Sequence, residues 1–349
     1  MKFQGKRVLL TGHTGFKGAW LAEWLISQGA DVTGVALPPE YPASLFEQLA
    51  LDQRLRHVLC DVRDYDGILE AVKAARPDFV FHLAAQAIVR RGYREPRETW
   101  AINVNGTLNV LEALRSAGQA ATVVAVTTDK VYQNREWEFP YRETDELGGH
   151  DPYSASKAGC ELAVASWRAS FADECGIRVV TARAGNVIGP GDMTADRIVP
   201  DCFRAWSKGD ALFVRNPTST RPWQHVLEPL AGYMALAAHT ASQSEPINAC
   251  NFGPGAEGDR SVGELVRALV AIDPRRQWTT TNDRGPHEAR ALSLAIDRAR
   301  IVLGWTPALS FEEAIRWTDE GYMAAPGHLP AVVRRQIAAY AQLIGNRKI

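Results

Sequence analysis

Apolar residues in the first half of the chain fall into short runs, each followed by a stretch with helical spacing. Residues 7 to 11 (RVLLT) form a brief apolar run that ends at a glycine, which predicts a fully buried strand. Trp20, Leu21, Trp24 and Leu25 then recur at helical spacing, and Gly29 closes the helix. The same alternation predicts strands over 31–36, 57–60, 78–82, 122–127 and 178–182. Helices are predicted between them, over 65–75, 97–117 and 154–174. Strands that alternate with helices build a doubly wound parallel α/β sheet with helices on both faces, and ligands of such sheets sit at the carboxyl ends of the strands.

After about residue 186 the pattern changes: glycine and proline become frequent, and short elements replace the regular units. A second, smaller mixed α/β domain is expected from residues 186–224 and 255–325. The apolar helix from Leu230 to His239 and the strand-like Ala249 to Phe252 are expected to return to the first domain, which then comprises 1–185 and about 225–254. The tail, 326–349, reads as a C-terminal extension carrying an amphipathic helix with no evident chemical role.

Charge and cysteine content narrow the class. With 39 basic against 40 acidic residues, the chain gives no overall electrostatic case for nucleic acid or an anionic membrane. An anionic ligand must instead be held by local arginines. The five cysteines, at 60, 160, 175, 202 and 250, are odd in number and widely spaced, so a reducing, cytoplasmic setting is expected rather than a disulfide framework. The eight histidines form no zinc-type cluster, and no metal is expected. The apolar run at Val8 to Leu10 is too short for a signal peptide, and no stretch is long enough to span a membrane.

Five motifs carry candidate chemistry. Gly12-x-x-Gly15-x-x-Gly18 follows a strand and opens a helix, as a phosphate-cradling turn requires. Past the second strand, Val35-Ala36-Leu37-Pro38 offers neither a carboxylate for a ribose hydroxyl nor an arginine for a 2′-phosphate, so NAD and NADP are not distinguished there. Asp61 and Val62 follow the third strand, where a carboxylate suits an adenine amino group. Leu83-Ala84-Ala85-Gln86 follows the fourth, where small residues allow close passage of a cofactor. Tyr153 and Lys157 share a helix face at i,i+4 spacing. A tyrosine that takes a proton from a hydroxyl must ionise below its usual value of about 10, and a neighbouring ammonium stabilises the phenolate. Finally TTDKVY, residues 127–132, sets Thr128, Asp129 and Lys130 at the active edge.

Together with RAGNVIGPGD and NPTSTRPWQHVLEPL, these strings resemble the extended short-chain dehydrogenase/reductases, and within them the CDP-glucose 4,6-dehydratases. The likeness runs from residue 3 to about 320 and includes NREW (134–137) and RPWQHV (221–226). It implies a Rossmann-type domain, tightly held NAD, a CDP-hexose substrate and a homodimer built on paired helices. On this resemblance Thr128, Asp129, Lys130, Tyr153 and Lys157 take the catalytic positions. Gly12, His13, Gly15, Phe16, Lys17, Gly18, Asp61, Val62, Leu83, Ala84, Ala85, Asn103 and Thr127 take cofactor positions, beside Tyr153 and Lys157. Gln86, Asn186, Arg197, Arg215, Arg221, His225 and His287 fall in segments that surround the sugar nucleotide. Arginines there suit a diphosphate, whose geometry they match in bidentate fashion.

The implied reaction is oxidation at C4, with Tyr153 taking the hydroxyl proton and the nicotinamide the hydride, elimination of the C6 hydroxyl with Lys130 as base and Asp129 as acid, and hydride return to C6. It contains a tension. A base needs neutral lysine, far below about 10.4, and an acid needs protonated aspartate, above about 3.9. A close Asp129–Lys130 ion pair opposes both. Other readings stay open: a 4,6-dehydratase or 4-epimerase acting on a UDP-, GDP- or dTDP-linked hexose, and a cofactor-sensing regulator on the same fold.

Overall fold

The computed structural model describes residues 2–242, 247–255, 259–280 and 292–346. Seven strands form one parallel sheet: β1 (Arg7–Thr11), β2 (Asp31–Ala36), β3 (Arg56–Leu59), β4 (Phe79–His82), β5 (Thr122–Val126), β6 (Arg178–Ala184) and β7 (Ala249–Phe252). Their order is β7-β6-β5-β4-β1-β2-β3. The chain therefore reverses direction across the sheet between β1 and β4, which opens a crevice at the strand ends.

Helices cover both faces because both faces are apolar. α1 (Phe16–Ser27) and α6 (Leu227–Ser242) share one buried cluster with β1 and β6. α2 (Tyr65–Ala75), α3 (Gly106–Ser116) and α4 (Pro152–Cys175) share another with Leu9, Val80 and Val123 on the opposite face. α4 is delimited by local chemistry. Asp151 caps its first amides, Pro152 occupies the first turn, and Gly176 ends it at φ +62°.

The second lobe is built around Val199, Trp223, Leu265 and Ile315. It contains α5 (Ile198–Trp206), α7 (Val262–Ile272) and α8 (Phe311–Tyr322), which the sequence pattern did not single out. Ser261–Glu264 and Ser310–Glu313 capping boxes start the latter two. The strands over 7–11, 31–36 and 249–252 and the helix over 65–75 keep their expected bounds, and the differing bounds of the other strands and of the helices over 152–175 and 227–242 are off by one to three residues.

One difference is structural. The helix expected over 97–117 is helical over Pro96–Trp100 and Gly106–Ser116, with a π turn at Ala101–Asn105 between them. The wide turn lets Asn103 reach sideways. Its amide accepts from the Gln86 amide nitrogen (2.9 Å) and donates to the Gln86 carbonyl (3.1 Å), fixing the loop after β4.

The last helix, α9 (Leu329–Asn346), packs inside the first lobe through Val333, Ile337 and Tyr340. Tyr340 is fully buried edge-on to Trp24 of α1, and its hydroxyl donates to Glu228 of α6 (2.5 Å). Arg334 adds a bond to the buried Glu23 of α1, which Arg54 also holds. The extension thus braces the helix that begins at the glycine turn. Replacing Tyr340 by alanine is expected to cost about 3–5 kcal/mol of stability, as for other buried aromatics. Urea unfolding would read this as a lower midpoint, and an unchanged midpoint would show the brace to be idle.

Candidate active site

The crevice widens into a cleft of about 1540 Å³, larger than the roughly 300–1,000 Å³ typical of one small ligand. Its floor is the glycine turn. Gly12 has φ +76°, and a Cβ there would stand 2.7 Å from the Ala84 nitrogen. A Cβ on Gly18 would collide with the Gly12 carbonyl. Thr11 holds the facing loop, since its hydroxyl accepts from the amides of Leu83 and Ala84, each at 3.1 Å. α1 starts at Gly15 with no side-chain cap and no acid in its first turn. Gly15, Phe16 and Lys17 line the cleft, so the helix's free amides suit a diphosphate. Lys17 adds an ammonium whose pKa is brought down to about 7 by burial and by Arg197. This is the donor set a dinucleotide needs, and Asp61, Val62, Leu83, Ala84 and Ala85 line the same wall.

Asp61 is also engaged locally: Arg63 holds its carboxylate at 2.5–3.1 Å and bridges to Glu98. Beyond β2 the wall is Ala36, Leu37 and Pro38, with Glu40 beside them.

The reactive groups meet at the ends of β5 and β6. Asp129 has zero exposure. Its Oδ1 accepts from the Thr128 hydroxyl (2.9 Å) and from Lys130 Nζ (3.0 Å), while Oδ2 is buried with no partner among the described residues. Lys130 Nζ also donates to Asn186 Oδ1 (3.2 Å). Tyr153 stands above them, with the Thr128 hydroxyl in hydrogen-bond reach of its phenol. Burial pushes Tyr153 up to about 12, and the nearby Asp129 adds to the rise, while Thr128 and Arg197 oppose it. Lys157, expected to activate Tyr153, donates instead to the Val126 carbonyl (3.1 Å). In the bare protein the cation acting on the phenol is therefore Arg197.

Arg197, Arg215 and Arg221 line the far side of the cleft. Arg197 is held by Asp192 (3.1 Å), Arg221 is largely buried and bonds the Thr220 carbonyl (2.8 Å), and Arg215 is exposed.

Several expected contacts lie elsewhere. His13 is buried behind the glycine turn rather than in the cleft, because Gly34 leaves space for its ring beneath β2. Its Nε2 meets His57 Nδ1 at 2.7 Å, and burial takes its pKa down to about 4. His225 is buried between Trp20 and Trp317, where burial lowers its pKa to about 3. Asn103 supports Gln86 from behind, and the Gln86 side chain is itself tied to Thr99 (2.8 Å). The Thr127 hydroxyl turns away from the cleft to Glu161 (2.5 Å). His287 lies outside the described residues. Sequence reasoning missed Glu161 and Arg183, a buried pair beneath the site. Glu161 stands four residues past Lys157, so the i,i+4 spacing that joined Tyr153 to Lys157 reaches it as well. Among the described residues no helix is long and apolar enough to cross a membrane, and no acid, His or Cys cluster is arranged to hold a metal.

Comparison with known proteins agrees with this architecture. The chain is 41% identical over 320 residues to the CDP-glucose 4,6-dehydratase of Salmonella typhimurium, covering 90% of this chain and 89% of that one. It is 26% identical to the dTDP-glucose 4,6-dehydratase 1 of Escherichia coli over 91% of this chain and 93% of that one. Among solved structures, the dTDP-glucose 4,6-dehydratase DesIV of Streptomyces venezuelae, with NAD bound, superposes at a TM-score of 0.78. That match has 25% identity and covers 90% of this chain and 97% of that one. The GDP-mannose 4,6 dehydratase family model matches residues 9–318. A match that takes in the sheet, the glycine turn, the Tyr153 helix and the second lobe alike places the chain in the GDP-mannose 4,6 dehydratase family.

Proposed function

We propose that the protein is an NAD-dependent 4,6-dehydratase that converts CDP-D-glucose to CDP-4-dehydro-6-deoxy-D-glucose with loss of water. The observation that carries this reading is the Asp129–Lys130 pair, set beside Thr128 and Tyr153 in one cleft. Of these side chains, oxidation at C4 needs only Tyr153 and Thr128, whereas a buried acid and a half-buried base next to them suit an elimination. The choice of CDP rests on the 41% relative against 26% for the dTDP-glucose enzyme.

Bound NAD would supply an acceptor for the C4 hydride and return that hydride to C6. The glycine turn, the amides of α1 and Lys17 would hold its diphosphate. Tyr153 takes the C4 hydroxyl proton, with Thr128 bonded to the same oxygen. Asp129 and Lys130 then act on C6 and C5. Their 3.0 Å contact supports a way to reconcile these roles. Passing one proton from Lys130 to Asp129 leaves a neutral amine and a carboxylic acid without changing the pair's net charge. Substrate that fills the cleft expels water and favours this neutral form. Lys130 next takes the C5 proton, Asp129 gives its proton to the departing C6 hydroxyl, and water leaves. The pair is then back in its charged form; Lys130 is placed to return a proton to C5 as C6 is reduced, and the proton that Tyr153 took from the C4 hydroxyl makes up that loss, so the protons of the three side chains balance over one turnover.

Arg197 and Arg221 are assigned to the substrate diphosphate, with Arg215 at the mouth. A homodimer would cover the exposed Trp100 and Leu162, which are 42% and 61% exposed on neighbouring helices. A cytoplasmic setting fits five cysteines that are all free.

Incubation with CDP-, dTDP-, UDP- and GDP-hexoses should give loss of one water, seen by mass spectrometry, chiefly from CDP-glucose. Asp129→Asn and Lys130→Ala should abolish that loss yet keep some C4 oxidation, seen as reduced-nicotinamide absorbance. Normal water loss in both variants would sink the assignment. The Lys17 ammonium is charged below about pH 7 in the empty cleft. Affinity for NAD alone should therefore weaken as pH rises through that value, by up to about tenfold per unit. Calorimetry on Lys17→Met should show a flatter profile, and an unaltered slope would remove Lys17 from the diphosphate site. Light scattering should report a dimer that Leu162→Lys converts to monomer; a dimer that survives the change lies on another face.

A further inference from the structure

The six-residue stretch that carries Thr128, Asp129 and Lys130 is held at both ends by one buried ion pair. Glu161 lies on α4, one turn past Lys157 and two past Tyr153. Its carboxylate accepts from Thr127 Oγ1 (2.5 Å), Thr181 Oγ1 (2.7 Å), and Arg183 Nε and Nη2 (3.0 and 2.7 Å). Arg183, on β6, uses its remaining nitrogen on the Tyr132 hydroxyl (2.9 Å) and the Glu143 carbonyl (3.2 Å). Its guanidinium also lies over the Tyr132 ring, 5.1 Å from the centroid. The Tyr132 hydroxyl in turn donates to Asn251 of β7 (2.7 Å). Thr127 thus ties the start of the turn to Glu161, and Tyr132 ties its end to Arg183.

The pair is deeply buried, with side-chain exposures of 5% and 3%. Taking two charges out of water offsets most of their attraction, so such a pair adds little net stability over apolar residues of the same volume. What it does supply is fixed geometry. Four directed bonds to one carboxylate and a guanidinium bonded on both edges leave the turn one position relative to α4, β6 and β7. Tyr153 and Lys157 do not depend on it in the same way. Their helix is set by the Asp151 cap, whose Oδ1 accepts from the amides of Tyr153 and Ser154, each at 3.0 Å.

We propose that Glu161 and Arg183 are positioning residues for the elimination step, clamping both ends of residues 127–132 so that Asp129 and Lys130 meet C6 and C5 of the sugar. The clamp rests on the dehydratase reading for its chemical consequence, but not for its geometry. Loosening it should slow loss of water more than oxidation at C4, because the proton transfers of the first are made by Asp129 and Lys130 on the turn, whereas that of the second is made by Tyr153 on the helix, with Thr128 alone contributed by the turn.

Glu161→Ala would strand a buried guanidinium and could unfold the chain, so two milder variants make the test. Thr127→Val deletes the bond to the carboxylate, and Tyr132→Phe deletes the bond to the guanidinium; neither leaves a bare charge. Thr127→Ser restores the hydroxyl. Amide hydrogen exchange read by mass spectrometry should rise across 127–132 in both variants and stay unchanged across the start of α4. Water loss should fall about ten- to a hundredfold, the scale of a misplacement near 1 Å. Reduced-nicotinamide absorbance should still appear on adding substrate, and the isotope effect from deuterium at C5 should grow. Thr127→Ser should return all of these toward wild type. Unchanged exchange in the turn would overturn the clamp whatever the reaction is. Equal slowing of both steps would overturn its assignment to elimination. A wild-type enzyme that removes no water from any nucleotide hexose would defeat the dehydratase reading instead, with the exchange result still deciding the clamp.

Discussion

Backbone meets backbone at the glycine turn, and the rest of the site is arranged around that closeness. Gly12 leaves no room for a Cβ against Ala84, and Gly18 leaves none against Gly12 itself. The approach brings the ends of β1 and β4 together where the strand order reverses, and Thr11 stitches the two loops with a single hydroxyl. It also aims the uncapped start of α1 into the cleft. Every anionic contact proposed for the dinucleotide follows from that aim. The same helix is braced from behind by α9 through Tyr340 and Arg334. α9 therefore supports the first functional turn, although none of its described residues lines the cleft.

Features set by local rules were legible in the sequence. The seven strands of the sheet, the glycine turn and the Tyr153–Lys157 face depend on short apolar runs, on glycine spacing and on helical period. The Asp129–Lys130 contact depends on adjacency in the chain. The places where the reading failed depend on packing. His13 and His225 are polar residues in segments that otherwise meet ligand, and only the space beside Gly34 and between Trp20 and Trp317 decides that their rings turn inward. The π turn at Ala101–Asn105 has no pattern of its own, because one wide turn hardly disturbs the apolar period on either side. The second-lobe helices α7 and α8 carried readable capping boxes, but they lay among glycines and prolines that suggested irregular structure. The role of Lys157 was drawn from spacing, which fixes a shared face but not the direction of a flexible ammonium.

A tyrosine near 12 looks ill suited to take a proton at neutral pH. Two of the forces acting on it change when the cleft fills. Asp129, which pushes the phenol up, loses its charge if it receives the Lys130 proton, and an oxidised nicotinamide held in the cleft would add a positive charge. Both changes lower the phenol's proton affinity. Arg197 acts in the opposite sense, since a substrate diphosphate that engages it would neutralise the cation now favouring the phenolate. The balance ties activation of Tyr153 to the protonation of Asp129.

In the proposed mechanism that coupling requires the Asp129–Lys130 pair to be held in place and not merely present. A proton that moves between Lys130 and Asp129 needs a contact near 3.0 Å, and it serves Tyr153 only while Asp129 stays beside the phenol. The residues lie on a turn, and turns are the mobile parts of most folds. Here both ends of the turn are fastened to the Glu161–Arg183 pair, whose desolvation is costly and whose geometry is correspondingly strict. Three elements contribute to that fastening: α4 carries Glu161, β6 carries Arg183, and β7 carries the Asn251 that holds Tyr132. The sheet order β7-β6-β5 is what makes them neighbours. The return of the chain to the first lobe at β7, after its excursion into the second, therefore completes the support of the catalytic turn as well as the sheet.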